Sequence, residues 1–194
     1  ARLEAALDVE LARRSQIPHD FSAIHVQGKR AHELARKGEP VDLEPRDVTM
    51  IALSLVNATA EPPSVTLRLA VSKGYYVRSL ARDLAATLGT VAHLTMLRRL
   101  RSGPFSIDEA VTLDDPNFAS RILSVTAAAL RSLPHVILDE AQTRDAGHGK
   151  TVHFTNIDMR GDCAWLDGQG NLIAVGTIGE DGAGRVQRGF NLTK

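Results

Sequence analysis

The pattern of residue types changes after Leu133-Pro134, and this change limits the folds that the chain can adopt. Beyond that point, short runs rich in apolar and β-branched residues alternate with turns rich in Gly and Asp. Short strands at such regular spacing are typical of a small β-barrel of about 60 residues. We therefore predict a small β-domain over 133–194 and a separate domain over 1–132. The predicted strands span 135–138, 151–154, 163–167, 172–177 and 186–191.

The first 132 residues mix strand and helix patterns, which predicts an α+β fold. Between 65 and 71, apolar and polar residues alternate with the period of a strand that has one buried face. A strand over 48–56 precedes it, and the loop 57–63 predicts an antiparallel hairpin with a loose turn. The other predicted elements are helices over 2–14, 29–37, 76–88 and 118–131 and a strand over 93–100.

Composition excludes several classes of function. No apolar run approaches the roughly 20 residues that span a bilayer. The single cysteine, Cys163, rules out an internal disulfide and a zinc-cysteine cluster, and it fits a reducing cytoplasm. His148 and His153, with Asp145 nearby, have spacing too weak to indicate a metal site, so no metal is expected.

Positive charge is concentrated in one stretch of a neutral chain. Lys plus Arg and Asp plus Glu number 23 each, yet 68–101 holds seven basic residues against one acidic residue, Asp83. On a shared face, these side chains would attract phosphate. The alternative is a set of solvated charges scattered around a helix and a strand. The basic residues are Arg68, Lys73, Arg78, Arg82, Arg98, Arg99 and Arg101.

Two stretches carry a family pattern in order and with matching spacing. Residues 16–36 read QIPHDFSAIHVQGKRAHELAR, against the pattern QxPPxYSAxKxxGxRxYxxAR. Residues 72–84 read SKGYYVRSLARDL, against SKGTYIRxLxxDL, and LG at 88–89, AHLTMLRR at 92–99 and RSGPF at 101–105 continue the match. Over about 90 residues the chain resembles the tRNA pseudouridine synthase B (TruB) family.

The resemblance implies a fold and an activity. The expected fold has a mixed, largely antiparallel core sheet with helices, followed by an RNA-binding domain of the PUA type. The expected activity is isomerisation of the T-loop uridine of tRNA to pseudouridine, in the cytoplasm and without a cofactor. The target base must be flipped out of its stack. The expected partner is therefore the T-arm of tRNA, and neither DNA nor a membrane is expected.

The resemblance also assigns roles to three residues. Tyr76 packs against the flipped base, Arg78 pairs with the catalytic Asp, and Leu97 lines the base pocket. A nearby cation favours the ionised carboxylate and fixes its direction. Residues 76 and 78 would share a face if the segment were extended. Without the resemblance, Tyr76 is an aromatic residue at a helix start, Arg78 a surface arginine and Leu97 a core residue.

Further residues are candidates for contact with RNA. Phosphate contacts position an RNA without reading its sequence. His93 could meet a base edge or simply cap a strand. The segment departs from the family pattern at His19, His25 and His32, where the family has Pro, Lys and Tyr, and this affects the expected RNA contacts. The candidates for phosphate contact are Lys29, Arg30, Lys73, Arg98 and Arg99.

The nucleophile of the family lies in a GxLDxxAxG segment, and these 194 residues contain none. Asp114 follows Leu113, but neither the preceding Gly nor the following AxG is present. We therefore expect that the segment carrying the nucleophile precedes this chain, and that the chain alone is inactive. Two other functions stay open: a non-catalytic RNA-binding module and a protein-interaction domain.

Overall fold

A computed structural model describes residues 2–26, 28–155 and 157–190, and the chain divides into two compact units, 1–97 and 98–194. The elements of the first unit are α1 (Arg2–Ala12), β1 (Ser15–Gln16), β2 (His25–Val26), β3 (Lys29–Arg30), α2 (Ala31–Arg36), β4 (Arg46–Asp47), β5 (Met50–Ala60), β6 (Pro63–Val71) and α3 (Val77–Leu88). Those of the second are β7 (Arg101–Ser102), β8 (Phe105–Ser106), α4 (Val125–Ser132), β9 (His135–Ile137), α5 (Glu140–Gly147), β10 (Val152–His153), β11 (Gly161–Leu166), β12 (Leu172–Ile178) and β13 (Ala183–Gly189), with short 3₁₀ turns at Ile107–Glu109 and Phe118–Arg121.

Strands β5 and β6 form the predicted antiparallel hairpin, but the predicted loop 57–63 is wrong. The strands pair out to Ala60 and Pro63, so only two residues turn the chain. The strand ends are polar, and the hydroxyls of Thr59 and Ser64 lie 2.8 Å apart in a cross-strand hydrogen bond. Because both strand ends are exposed, they need no apolar face, and the polar sequence resembled a loop.

Helix α1 packs against the hairpin and against α3. Ala6 and Leu7 of α1 form a buried cluster with Leu84 of α3, and Leu53 and Leu67 of the hairpin pack against it. Spacings of three and four residues place such side chains on one face of a helix. Helix α3 ends as predicted at Gly89, which takes a left-handed conformation with φ of 73°. This small core holds the middle and the C-terminal end of α3 against α1 and the hairpin.

Two predicted elements differ in the structure. No strand forms over 93–100 in the described part of the chain, where every residue except Leu94 is exposed. A strand needs a neighbour for its backbone groups, and the one backbone partner seen there among the described residues is the N–H of Ile107, which the Leu100 carbonyl accepts at 2.8 Å. The helix predicted over 118–131 is also wrong in its extent: Phe118–Arg121 is a 3₁₀ turn, and α4 begins only where Ser124 caps it by accepting the N–H of Ala127 at 3.1 Å.

The second unit holds a five-stranded sheet in the order β10-β13-β12-β11-β9. All five predicted strands are present, with shifted ends, although residue 191 lies outside the described residues. Within the described ranges no pairing joins β9 to β10, so the predicted barrel is seen there as an open sheet. Helix α5 was not predicted, although Asp139 and Gln142 form the capping box that marks its start.

The core of the second unit surrounds Trp165, which is fully buried and meets the ring of Phe154 edge-on at a centroid distance of 5.4 Å. Cys163 is fully buried and accepts the Trp165 Nε1–H at 3.2 Å. The described helices include none that is both long enough and apolar enough to cross a membrane. The mixed α+β class with mainly antiparallel pairing is thus confirmed.

Candidate functional site

A tight turn joins the hairpin to α3 and carries the two residues predicted to be catalytic. Gly74 has φ of 88°, a conformation that favours glycine. Tyr76 is half-buried at the N-cap of α3, and Arg78 is exposed in the first helical turn. Because α3 starts at Val77, the expected extended alternation of residues 76 and 78 is wrong. Both residues instead lie at the N-terminal end of the helix.

Strand β1 holds this end of α3 through hydrogen bonds. Gln16 is 1% exposed, and its Oε1 accepts the backbone N–H of Tyr76 at 3.0 Å. The next carbonyl, that of Ile17, accepts from the Ser79 hydroxyl at 2.9 Å and from the Arg82 guanidinium at 2.8 Å. Buried polar groups with direct partners of this kind restrict local motion. The prediction missed Gln16, although it opens the first family stretch.

Tyr76 lies at an open depression of about 480 Å³, a volume within the range of small-molecule pockets. The prediction named Tyr76 among its lining residues and missed the others. The hydroxyl of Ser22 is buried there and has no hydrogen-bond partner among the described residues. The depression is therefore lined by one aromatic residue, one serine whose hydroxyl is buried, and two residues with nitrogen-containing side chains, His25 and Arg46. Its lining residues are Ser22, Ala23, Ile24, His25, Arg46 and Tyr76.

The N-terminal end of α3 is electropositive. Neither Asp nor Glu lies in its first turn, and the N-cap residue makes no side-chain capping bond. Free N–H groups at a helix start attract negative charge. Arg78 adds a full positive charge, and no described carboxylate lies within the 4.0 Å of an ion pair with it. This end of the helix can therefore accept a carboxylate or a phosphate.

A buried ion pair lies near the same turn. Glu10 is fully buried and binds the Arg13 guanidinium in a bidentate pair, at 2.8 and 2.6 Å. Burial, reinforced by the Glu10 carboxylate, raises the pKa of Tyr75 to about 12. The Tyr75 hydroxyl is buried without a well-formed hydrogen bond among the described residues, and the nearby Gln16 side chain offsets only a small part of the rise in its pKa. Tyr75 therefore stays protonated at neutral pH.

The predicted RNA-contact residues fall into separate places. Lys29 and Arg30 are exposed in a short hairpin, where Arg30 pairs in register with His25 of the depression. Lys73 is exposed in the turn before Tyr76. Within the first unit, the structure thus brings Arg30 to the strand pair that includes a lining residue of the depression.

The remaining candidates lie on the stretch without regular structure. His93 is exposed and caps no described strand, so the strand-cap alternative is wrong. Leu97 is 64% exposed, so it is not a core residue. Arg98 and Arg99 are exposed and belong to the second unit. The roles of these four residues stay predictions.

Comparison with known proteins identifies the class. A model described as "TruB family pseudouridylate synthase (N terminal domain)" matches residues 1–77, and one described as "tRNA pseudouridylate synthase B C-terminal domain" matches residues 78–138. These are domains of pseudouridylate synthases. The chain belongs to the TruB family, as the sequence predicted. The predicted domain boundary between 132 and 133 stays a prediction. The division of the chain into compact units falls elsewhere, between 97 and 98.

Curated relatives and solved structures agree with this assignment. The "tRNA pseudouridine synthase B" of Novosphingobium aromaticivorans is 41% identical over 186 residues, covering 91% of this chain and 60% of the relative. That of Burkholderia lata is 41% identical over 163 residues, covering 81% of this chain and 50% of the relative. The chain thus spans half to three-fifths of the length of these relatives.

Two solved structures share the fold at low identity. A Cbf5-Nop10-Gar1 complex matches with a TM-score of 0.70 at 21% identity, over 97% of this chain and 62% of that one. An H/ACA RNP bound to a substrate RNA containing 2′-deoxyuridine matches with a TM-score of 0.61 at 19% identity, over 96% and 69%. At these identities the likeness bears on the fold alone.

Proposed function

We propose that this protein isomerises a uridine in the T-arm of tRNA to pseudouridine, without a cofactor. In this reaction the bond from ribose C1′ to uracil N1 breaks, the base turns, and a C1′–C5 bond forms. The proton on C5 is lost and N1 gains one, so the atoms balance. The observation that carries the proposal is the placement of Tyr76, in a chain of the TruB family, at a depression and two residues before Arg78, which has no ion-pair partner among the described residues.

Tyr76 supplies the aromatic surface for the flipped base. Its backbone is held by Gln16, and its ring lies at a depression large enough for a nucleobase. Stacking on an aromatic ring offsets about 1–3 kcal/mol of the loss of base stacking in the RNA. The base is thereby kept out of its loop while its glycosidic bond is exchanged.

Arg78 holds the catalytic carboxylate ionised and aimed at the reacting atoms. Its guanidinium and the free N–H groups of the first turn of α3 provide the positive environment. A carboxylate acts as the nucleophile of the reaction. The 194 residues contain no GxLDxxAxG segment, so we expect no turnover from these residues by themselves.

Basic side chains near the depression grip the T-arm through its phosphates. Lys29, Arg30 and Lys73 are exposed in the first unit, and Arg98 and Arg99 are exposed candidates for phosphate contact in the second. We propose that the PUA-like domain over 133–194 also binds RNA. Such contacts give affinity that falls with salt, whereas the shape of the arm gives the preference.

The experiment measures tritium release from C5-tritiated uridine in a T-arm hairpin, with this chain and with the product of its complete reading frame. We expect turnover from the product of the complete reading frame. In its Arg78→Ala variant, turnover should fall at least about a hundredfold because the carboxylate is no longer positioned, while the affinity of the variant for the hairpin should stay nearly constant. Arg14→Ala, which removes an exposed charge that bonds only to nearby carbonyls, is the matched control. Salt-dependent hairpin binding without turnover would instead favour an RNA-binding module, and binding equal to that of a scrambled hairpin would favour a protein-interaction domain.

A further inference from the structure

The described residues contain three buried side-chain polar atoms without a hydrogen-bond partner, and all three lie on segments next to Tyr76. They are Gln16 Nε2, the Ser22 hydroxyl and the Tyr75 hydroxyl. Gln16 binds the Tyr76 backbone, Ser22 lines the same depression, and Tyr75 precedes Tyr76 in the chain. Buried polar groups without partners cost stability and are rare in folded proteins. Their grouping here indicates that the segment is shaped for function.

Gln16 is the most informative of the three because one half of its amide is bonded and the other is not. Its Oε1 accepts the Tyr76 N–H at 3.0 Å, whereas Nε2 is buried without a well-formed hydrogen bond, although the Gln16 side chain lies close enough to Tyr75 to act on its hydroxyl. An apolar side chain of similar volume would remove the unsatisfied donor. The acceptor bond to Tyr76 is what such a replacement would lose.

This bond acts at the point where the chain enters α3. Tyr76 is the N-cap residue with an extended backbone, and its carbonyl already accepts the N–H of Leu80 at 3.1 Å. Its own N–H precedes the helix and needs a partner from elsewhere. Gln16, which lies 60 positions earlier in the chain, is that partner. The direction of the Tyr76 Cα–Cβ bond is therefore set from β1.

We infer that Gln16 is a positioning residue for the isomerisation, one that fixes the backbone of Tyr76 and so the ring against which the flipped base packs. The inference rests on the proposed function. Ser79 offers a matched comparison, because its buried hydroxyl joins the same two segments by donating to the Ile17 carbonyl at 2.9 Å rather than by binding the Tyr76 N–H. Gln16 thus affects the reaction through Tyr76, whereas Ser79 affects only the junction of β1 with α3.

The test compares Gln16→Met, Gln16→Glu and Ser79→Ala in the product of the complete reading frame. Met has a similar volume but cannot accept the Tyr76 N–H, whereas Glu keeps an acceptor oxygen. We expect Gln16→Met to lower kcat by about 10- to 100-fold with KM for the hairpin nearly unchanged, since small misplacement of a reacting group costs rates of this order. Gln16→Glu should recover most of kcat at a lowered melting temperature, because it keeps the acceptor but buries a carboxyl group. Ser79→Ala should keep kcat while its melting temperature is also lowered.

Amide hydrogen exchange at Tyr76 measures the positioning without activity. Exchange should speed up about tenfold in Gln16→Met, as loss of a buried hydrogen bond predicts, and stay slow in Gln16→Glu and Ser79→Ala. Unchanged kcat in a folded Gln16→Met, or an equal loss of kcat in Ser79→Ala, would overturn the inference alone. If the unaltered protein forms no pseudouridine, the proposed function fails and takes this inference with it, whatever the exchange rates. If Gln16→Met does not fold, the result for Gln16→Glu decides: loss of kcat with retained Tyr76 protection counts against the inference.

Discussion

Gly176 in β12 has no room for a side chain, and a single methyl group there should destabilise the second unit. A Cβ built at Gly176 would lie 2.5 Å from Cζ2 of Trp165, 2.7 Å from Cε2 of the same ring and 2.8 Å from the carbonyl oxygen of Arg185. Carbon atoms in contact prefer separations of about 3.5–4.0 Å. The overlap with the indole is therefore about 1 Å.

The surroundings decide what Gly176→Ala costs. Trp165 is fully buried and packs on Phe154, so its ring has no free space to move into. The Arg185 carbonyl belongs to β13, which is paired with β12 at this point. Overpacking a core by one methyl group costs about 1–3 kcal/mol. Since one obstacle is a ring without free space and the other is backbone, we expect a loss of about 2–3 kcal/mol in the free energy of unfolding.

Tryptophan fluorescence reports this unfolding, because Trp165 is the one tryptophan of the chain. For a unit of this size, 1 kcal/mol corresponds to a shift in Tm of about 4–8 °C, so Gly176→Ala should lower Tm by about 10 °C or more. Gly189→Ala is the control, since a Cβ there meets nothing within 4 Å, and Tm should stay nearly constant. Equal Tm values for the two variants would refute the reasoning, because they would mean that the indole can move aside.

Two further predictions concern the ion pair and the tyrosine beside the site. Arg13→Met should lower the free energy of unfolding by about 3 kcal/mol, because it leaves the buried Glu10 carboxylate unpaired. Glu10→Gln should lower it by only about 1–2 kcal/mol, because the Arg13 guanidinium that it leaves unpaired reaches water. Urea unfolding followed by circular dichroism measures both losses, and a larger loss in Glu10→Gln would contradict this account. Burial raises the pKa of Tyr75 from about 10 to about 12, so its contribution to stability is complete below pH 10 and is lost as pH rises towards 12, because the unfolded chain releases the proton first. Tyr75→Phe should remove that part of the alkaline loss of stability in Tm measured against pH, and an unchanged alkaline slope would count against it.

Much of the fold could be predicted because local patterns and tertiary structure agree. The alternation over 65–71, the amphipathic helix before Gly89 and the short strands after Pro134 all appear in the structure. The helix and the short strands bury the faces that their sequences make apolar, whereas the apolar face over 65–71 is only partly buried and Val65 is 44% exposed. The polar ends of the hairpin were missed because cross-strand hydrogen bonds between exposed hydroxyls leave no apolar pattern in the sequence.

The stretch 93–100 is a case in which the local pattern and the tertiary structure disagree. Its pattern suggested a strand, but a strand depends on a partner, and no local pattern reports whether one is present. The site was predicted in the same uneven way. Tyr76 and Arg78 could be found from a contiguous motif, whereas the contributions of Gln16 and Ser22 depend on contacts that the order of residues does not display.

The structure gives a physical reason why the two family stretches occur together. Gln16 and Ile17 open the first stretch, and they accept hydrogen bonds from Tyr76, Ser79 and Arg82 of the second. The first stretch therefore fixes the start of the helix that carries the second, and it lines the depression at which Tyr76 lies. A change in either stretch disturbs the same few bonds, so the two stretches form one structural unit. A resemblance that covers both is for this reason stronger evidence for a shared site than either stretch by itself.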